Sequence, residues 1–291
     1  MTVPANSGFS IVIPARNESV GLSRLLPELV KDYPQAQIIV VDDGSEDDTA
    51  RVARDGGATV ITHAYPMGNG AAIKTGIRNV NADIVVCMDG DGQHEPGDVE
   101  KLLEKLESGF EMVVGARESS SHASLGRRLA NGFYNRLSSW IVGQDIQDLT
   151  SGFRAARVER FRKFLHLLPN GFSYPTTITM AFFRAGFPVG YVPVTARART
   201  GKSHISPLRD GVRFLLIIFR VGVLYSPLKV FFPISLSFFL LGLGYYIHTY
   251  LDSGRFTNMS ALLFITSVLV FLIGLVSEQI TMLLYRDRDE G

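Results

Sequence analysis

Two stretches near the C-terminus, Val230–Leu251 and Phe256–Ser277, each run for 22 residues without Asp, Glu, Lys or Arg. As helices rising ~1.5 Å per residue they reach about 33 Å, enough for a hydrocarbon core of ~30 Å. Both are rich in Phe and Leu and show no amphipathic face. Pro233 falls near the start of the first, where a helix tolerates it. Only Asp252-Ser253-Gly254-Arg255 separates the two runs. That spacer suffices for a tight turn and little else, so a transmembrane hairpin is expected over residues 229–285, with spans near 230–251 and 257–284. Such a tail ties the rest of the chain to a membrane.

Charge orients the hairpin. Arg199, Lys202, Arg209, Arg213, Arg220 and Lys229 precede the first span, opposed by Asp210, and Arg286 and Arg288 follow the second. The turn holds Arg255. The positive-inside rule then places both termini, including the tail 286–291, on the cytoplasmic side of a cell membrane. Met1 to Gly8 is short and polar, without the apolar core of a secretory signal, so the N-terminal half is expected to be cytoplasmic too. Glu278 is expected at the membrane interface, with an intramembrane carboxylate as the alternative. Ahead of the spans, residues 206–228 read as a juxtamembrane segment. Leu208, Val212, Leu215, Leu216, Phe219 and Val223 recur at helical spacing, and Arg209, Arg213 and Arg220 fall within about 40° on a helical wheel. An amphipathic helix lying in the interface is expected there.

Residues 1–205 differ in character. They alternate short apolar runs with helical patterns. Strands are expected at Phe9–Ile13 (ended by Pro14), Gln37–Val41, Ala58–Thr62, Ile84–Met88 and Glu111–Val114. Helices are expected at Glu18–Lys31, Glu46–Arg54, Asn69–Val80 and Pro96–Glu107. Strict alternation of this kind implies an α/β fold: a mostly parallel, Rossmann-like sheet with helices on both faces. Ligands bind such sheets beyond the carboxyl ends of the strands. The 29 basic and 28 acidic residues sum to a net charge of +1, which gives no indication of a nucleic-acid partner. The single cysteine, Cys87, sits in an apolar run and reads as a buried hydrophobe; no Cys-based zinc site is available.

The strand ends carry the chemistry. Met88-Asp89-Gly90-Asp91-Gly92-Gln93-His94 leaves an apolar strand with two carboxylates at a spacing of two, on one side of extended backbone. Glycines allow close approach of backbone and ligand. Asp89, Asp91 and the Gln93 amide oxygen suit a hard divalent cation such as Mg²⁺, which takes one or two carboxylates plus substrate phosphates. Asp/Gly turn chemistry explains the same residues equally well. An EF-hand is excluded by the strand leading into the motif. Pro14-Ala15-Arg16-Asn17-Glu18 is not a dinucleotide-binding glycine pattern, and Gly70-Ala71-Ala72-Ile73-Lys74-Thr75 does not keep P-loop spacing. Lys74 either reaches a phosphate or lies on a solvated helix face.

Taken together these segments resemble the family 2 glycosyltransferases with the GT-A fold, and among them the dolichyl- and polyprenyl-phosphate hexose synthases. The matching stretches are IVIPARNES (Ile11 to Ser19), VVDDGSEDDT (Val40 to Thr49), GNGAAIKTGI (Gly68 to Ile77), MDGDGQHEP (Met88 to Pro96), VVGAR (Val113 to Arg117) and DLTSGFRA (Asp148 to Ala155). The hairpin resembles the anchor of the bacterial polyprenyl-phosphate glucosyltransferase branch. The resemblance implies roles. Pro14, Ala15, Asn17, Glu18, Asp42 and Asp43 would line the nucleotide pocket, with Lys74 and Gly90 also on the donor side. Asp89, Asp91 and Gln93 would hold Mg²⁺ or Mn²⁺ against the donor diphosphate. Arg117, assisted by Arg127 or Arg128, would meet the acceptor phosphate. Asp148, Ser151 and Arg154 would sit near the sugar and the reaction centre. His94 would touch the leaving group or support its neighbours. The family's Arg-x-x-Gly-x-Ser-Lys appears here as Arg197-Ala198-Arg199-Thr200-Gly201-Lys202-Ser203-His204, with Arg199 one residue too close and His204 in place of lysine. Arg199 and Lys202 are the candidates for a diphosphate contact.

The resemblance implies inverting transfer of a hexose from a nucleotide sugar to a membrane polyprenyl or dolichyl phosphate. UDP-glucose is the first choice of donor and GDP-mannose the second. The acceptor's second pKa lies near 6, so no general base is required. Three rivals are weaker. A processive polysaccharide synthase needs more spans and a Gln-x-x-Arg-Trp motif, whereas Trp140 here follows Leu137-Ser138-Ser139. A silent nucleotide-sugar sensor or scaffold would not need Asp89, Asp91 and Arg117. A transporter would need a polar pathway. A homo-oligomer through the hairpin is plausible from the spans alone.

Overall fold

The computed structural model describes residues 8–117, 125–171, 173–195 and 225–286, with isolated positions from 216 to 223; the side chains of 125–131, 133 and 284–286 are excepted. The expected domain boundary at 205/206, most of the amphipathic segment, the tail 287–291, Arg199 and Lys202, and the side chains of Arg127 and Arg128 lie outside the described residues. Two compact units divide the chain: Met1–Arg136 with Gln144–Asp210, and Leu137–Gly143 with Gly211–Gly291.

The first unit is a seven-stranded sheet in the order β3-β2-β1-β4-β6-β5-β7. Its strands are β1 (Phe9–Ala15), β2 (Gln37–Asp42), β3 (Thr59–Thr62), β4 (Ile84–Cys87), β5 (Met112–Arg117), β6 (Arg154–Arg157) and β7 (Val189–Val194). Helices α1 (Ser19–Asp32), α2 (Thr49–Asp55), α3 (Asn69–Arg78), α4 (Asp98–Glu107), α5 (Leu125–Val142), α6 (Val158–Lys163) and α7 (Tyr174–Arg184) connect and follow them. β1 to β4 pair in parallel, and β5 pairs with β7 in parallel. Central strands are Val/Ile-rich because helices cover both faces. α1 buries Leu22, Leu25, Leu26 and Leu29 on one face, each worth about 2 kcal/mol of apolar transfer.

β7 was not among the expected strands, and two further details differ from expectation. Pro14 does not end β1, which continues to Ala15. Val12 accepts a bond from Met88 on the β4 side. Pro14, two residues on, faces the same side, beyond the last residue of β4, so its missing N–H leaves no ladder bond unmade. The second difference is β6, which runs antiparallel between β4 and β5. Its sequence, Arg154-Ala155-Ala156-Arg157, has no β-branched or aromatic residue and so lacks strand propensity.

The second unit contains two long helices, α8 (Pro227–Ser253) and α9 (Asn258–Arg286). Both are long and apolar enough to cross a membrane. Gly254 ends α8 in the left-handed conformation (φ 65°), its N–H donating to the Tyr250 carbonyl, an ordinary glycine C-cap. Ser235 and Ser267 bond reciprocally, each hydroxyl donating to the other's carbonyl at 2.9 Å. A Cβ at Gly274 would come within 2.8 Å of Phe231, so small residues set the close approach of the pair. Glu278 accepts a bond from the Leu228 N–H at 3.2 Å. Its carboxylate thus serves an N–H at the start of α8 that has no partner within that helix.

Candidate active site

All parts of the candidate site belong to the first unit and gather at the carboxyl ends of β1, β2, β4 and β5. Antiparallel β6 is decisive. Its first residue, Arg154, stands opposite both Cys87 of β4 and Val114 of β5. The loop before it, Asp148–Phe153, therefore reaches the end where β4 releases Asp89 and β5 ends in Arg117. Gly152 lies so close to Asp89 that a Cβ there would be 2.7 Å from Oδ2.

Arg117 and Asp148 form a bidentate ion pair: Nε donates to Oδ2 at 2.9 Å and a terminal nitrogen to Oδ1 at 3.1 Å. The same guanidinium also bonds the Thr150 hydroxyl. Asp148 further accepts the N–H groups of Thr150 and Ser151 at 3.0 and 3.1 Å. Burial pushes the Asp148 carboxyl up, but the Arg117 hydrogen bonds and charge outweigh it and hold the group below the usual aspartate range. Burial alone would lower Arg117; its bonds to Asp148, then the charges of Asp148, Asp89 and Asp91, raise it instead. Arg117 thus lies in the field of three carboxylates and keeps 38% of its side chain exposed, available to an anion.

Asp89 is 36% exposed in its side chain, with His94 Nε2 at 3.9 Å. His94 is buried, stacked on Phe153 with ring centroids 4.7 Å apart, and among the described residues its Nδ1 has no partner. Asp91 accepts the Gln93 N–H at 3.1 Å. The turn is held down by α1: a Cβ on Gly21 would lie 2.3 Å from the Gly90 carbonyl oxygen. Among the described residues no group of three or more His, Cys, Asp or Glu could hold a metal ion by itself. Two aspartates leaving the end of β4, with Gln93 in the same turn, are donor types suited to a cation that also takes substrate oxygens, the habit of Mg²⁺ and Mn²⁺.

The β1 and β2 ends interlock. Asn17, at φ 56°, donates its N–H to the Ser45 hydroxyl at 3.0 Å and accepts the Glu46 N–H at 2.9 Å. Glu18 donates its N–H to Thr49 Oγ1. Asp42 accepts the Ser45 N–H, and Pro14 and Ala15 form the buried floor.

Several expected site residues turn out to be enclosed by protein. Both Asp43 oxygens are occupied: His63 Nδ1 lies 2.7 Å from Oδ1, and the Met67 and Gly68 N–H groups donate to Oδ1 and Oδ2 at 2.8 and 2.7 Å. Burial raises this carboxyl, but the bonds with His63 and the two N–H groups bring it below the ordinary value. Lys74, half-buried on α3, reaches across to the segment that follows α6. Its ammonium bonds the Leu168 carbonyl at 3.2 Å and the Asn170 side chain. The α3 N-terminus is likewise covered, since Gly70 and Ala71 donate to the Gly171 and Asn170 carbonyls. Arg154 is fully buried. Its guanidinium bonds the carbonyls of Ser151 and Pro175 and the Thr179 hydroxyl, so it braces the Asp148 loop from beneath rather than meeting a ligand. Ser151 is 1% exposed and holds the same loop. The sequence reading missed Thr150, Asn135 and Asp47. Asn135 on α5 grips the loop from two sides, donating to the Gln147 carbonyl and accepting the Leu149 N–H. Asp47 leads the chain into α2 through an Asx-turn, accepting the Thr49 N–H at 3.0 Å, and its Asp-x-Thr spacing was the visible sign.

Residues 10–165 match the pattern of glycosyl transferase family 2. The chain belongs to that family. Residues 226–283 match the GtrB C-terminal hairpin. Glycosyltransferase AglJ of Haloferax volcanii is 30% identical over 83% of this chain and 81% of its own. The dolichyl-phosphate hexose transferase of the same organism is 27% identical over 72% of this chain and 92% of its own. The polyprenol monophosphomannose synthase of Mycolicibacterium smegmatis is 29% identical over 68% and 80%. Among solved structures, glucosyl-3-phosphoglycerate synthase from Mycobacterium tuberculosis, bound to Mn²⁺, UDP and its glucosylated product, superposes with a TM-score of 0.59. It is 23% identical and covers 74% of this chain and 80% of its own; that likeness shows the GT-A-like fold. This family 2 enzyme is a glycosyltransferase with two candidate transmembrane helices.

Proposed function

We propose that this family 2 enzyme transfers a hexose, with inversion, from a nucleotide sugar to the phosphate of a membrane polyprenyl or dolichyl phosphate. The observation that carries the reading is the meeting of the Asp89/Asp91 turn with the Arg117–Asp148 pair, on a chain that also carries an apolar hairpin. Relatives named as dolichyl-phosphate and polyprenol-phosphate transferases support it. UDP-glucose is the favoured donor and GDP-mannose the next.

The nucleotide would rest on the β1 and β2 ends, against Pro14, Ala15, Asn17, Glu18 and Asp42, with its diphosphate toward Asp89. A divalent cation, Mg²⁺ or Mn²⁺, held by Asp89, Asp91 and Gln93 would neutralise charge on the diphosphate. Arg117, locked in orientation by Asp148, would receive the acceptor phosphate, with Arg128 as its partner. A phosphate oxygen attacks the anomeric carbon, the bond to the donor's β-phosphate breaks, and the nucleoside diphosphate leaves as an anion. No proton has to move, because the monoester is largely dianionic at neutral pH. The chain's work is electrostatic: it brings two anions together and disperses charge at the transition state. Arg199 and Lys202 remain the candidates for the diphosphate contact. The catalytic half and both termini are placed on the cytoplasmic side.

A transfer assay in liposomes containing polyprenyl phosphate, with radiolabelled UDP- and GDP-sugars, tests the reading. One donor should label the lipid phase, with label lost in EDTA, restored by Mg²⁺ or Mn²⁺, and absent for Asp91→Ala. No lipid label from any donor, with nucleotide still bound, would instead favour a silent nucleotide-sugar sensor.

A further inference from the structure

We propose that Asn135 and Tyr174 are positioning residues at the two ends of the loop Asp148–Phe153, Asn135 for the acceptor phosphate and Tyr174 for the cation-bound donor. The proposal rests on the reading that Arg117 meets the acceptor and Asp89 the cation. The loop touches both. Asp148, at its start, holds the Arg117 guanidinium in two bonds. Gly152, near its end, packs against the Asp89 carboxylate.

Each end has its own fastening. Asn135 reaches from α5 to the peptide groups on either side of Asp148. Its Nδ2 donates to the Gln147 carbonyl at 2.6 Å, and its Oδ1 accepts the Leu149 N–H at 3.3 Å. A side-chain amide carries a donor and an acceptor on one planar group, which suits it to such a pair. Leu149 is fully buried, so without Asn135 its N–H has no water to turn to. Tyr174, the first residue of α7, donates its hydroxyl to the Gly152 carbonyl at 3.1 Å. Its ring is buried and lies 5.6 Å from the Arg154 guanidinium, which fixes where the hydroxyl points. Freeing the peptides beside Asp148 lets the Arg117 fork drift while Gly152 still backs Asp89. Freeing the Gly152 carbonyl does the reverse. The two ends therefore serve different substrates, and their variants should separate in kinetics.

The test uses full-length enzyme in phosphatidylcholine/phosphatidylglycerol vesicles, with polyprenyl phosphate at varied mole fraction and the labelled nucleotide sugar that the wild type turns over. Mn²⁺ affinity in the presence of UDP is read separately, by the electron paramagnetic resonance of free Mn²⁺. Asn135→Leu keeps volume and Asn135→Ala keeps helix preference; both remove the two bonds. Each should raise KM for the lipid phosphate roughly ten-fold with kcat little changed, the pattern of lost uniform binding, and leave Mn²⁺ affinity within about two-fold. Tyr174→Phe removes only the hydroxyl. It should weaken Mn²⁺ binding roughly five-fold, the scale of one lost hydrogen bond, with KM for the lipid phosphate unchanged. Arg117→Lys, which loses the fork that Asp148 orients, should raise the lipid-phosphate KM by itself, and Asn135→Leu should add nothing to it. An unchanged lipid-phosphate KM in both Asn135 variants, or unchanged Mn²⁺ affinity in Tyr174→Phe, would overturn that end of the proposal. Parallel loss of both affinities, tracking a fall in Tm, would make these residues structural props and overturn it whole. No lipid label from the wild type, or an unaltered KM in Arg117→Lys, would sink the acceptor reading itself, and the Asn135 assignment with it.

Discussion

A methyl group at Gly152 would meet the far end of the Asp89 side chain, at 2.7 Å from Oδ2 and 2.9 Å from Oδ1. A carboxylate can swing aside, so Gly152→Ala should leave Tm nearly unchanged. Displacement of a ligand-bearing carboxylate by about 1 Å should cost roughly 10²-fold in kcat, read in the liposome assay. Gly70→Ala is the opposite case. Its Cβ would be 2.0 Å from the Pro169 carbonyl oxygen, which is backbone, so the variant should lose about 1–3 kcal/mol, seen as a lower Tm. Asp148 gives a pH test. Its folded pKa is depressed, so its stabilising contribution is present above the unfolded value of about 3.9 and fades as pH falls through the folded one. Asp148→Asn should melt below the wild type at pH 7, and the gap should narrow below about pH 4. A gap unchanged from pH 7 to pH 3 would exclude this pair as a source of stability.

Helices and strands behaved differently as objects of sequence reading. α1 was legible because four leucines recur on one face, and the long apolar helices because nothing interrupts them. β6 was not, since Arg and Ala carry no strand preference and its place between β4 and β5 comes from non-local pairing. The site inherited that blindness. Asp89 and Asp91 were readable as polar groups at a strand end, and Arg117 through the resemblance of its motif. Arg154 was misplaced because full burial beneath the loop depends on β6 lying where it does. The partners of Lys74, Leu168 and Asn170, were not legible because they are more than ninety residues away. Within the hairpin, the reciprocal Ser235–Ser267 bonds should couple the two helices. In a double-mutant cycle, Ser235→Ala and Ser267→Ala should show a coupling of about 0.5–1.5 kcal/mol; strict additivity would mean that the serines act only as small residues.

Across the whole chain, the proposed topology sets the α8–α9 turn on the face of the membrane opposite both termini. Ser253→Cys tests it. The native Cys87 is buried, and burial pushes its thiol up to about 12, so it should stay silent toward maleimide. The new thiol should react in right-side-out vesicles and be protected in inverted ones. The reverse pattern would move the termini, and with them the catalytic half, to the other side.

Composition and local pattern alone were sufficient for the alternating α/β architecture, the apolar hairpin and the acidic turn at the end of β4. These depend on periodicity, run length and turn chemistry, which act between near neighbours in sequence. Long-range contact had to assign the working parts. It paired Arg117 with Asp148, buried Arg154 and Ser151 as props, enclosed Asp43, tied Lys74 to Leu168 and Asn170, and put the Glu278 carboxylate at the first turn of α8. Each of these is a charged or polar group whose meaning is set by its partner, and the partner is brought near by packing rather than by spacing along the chain.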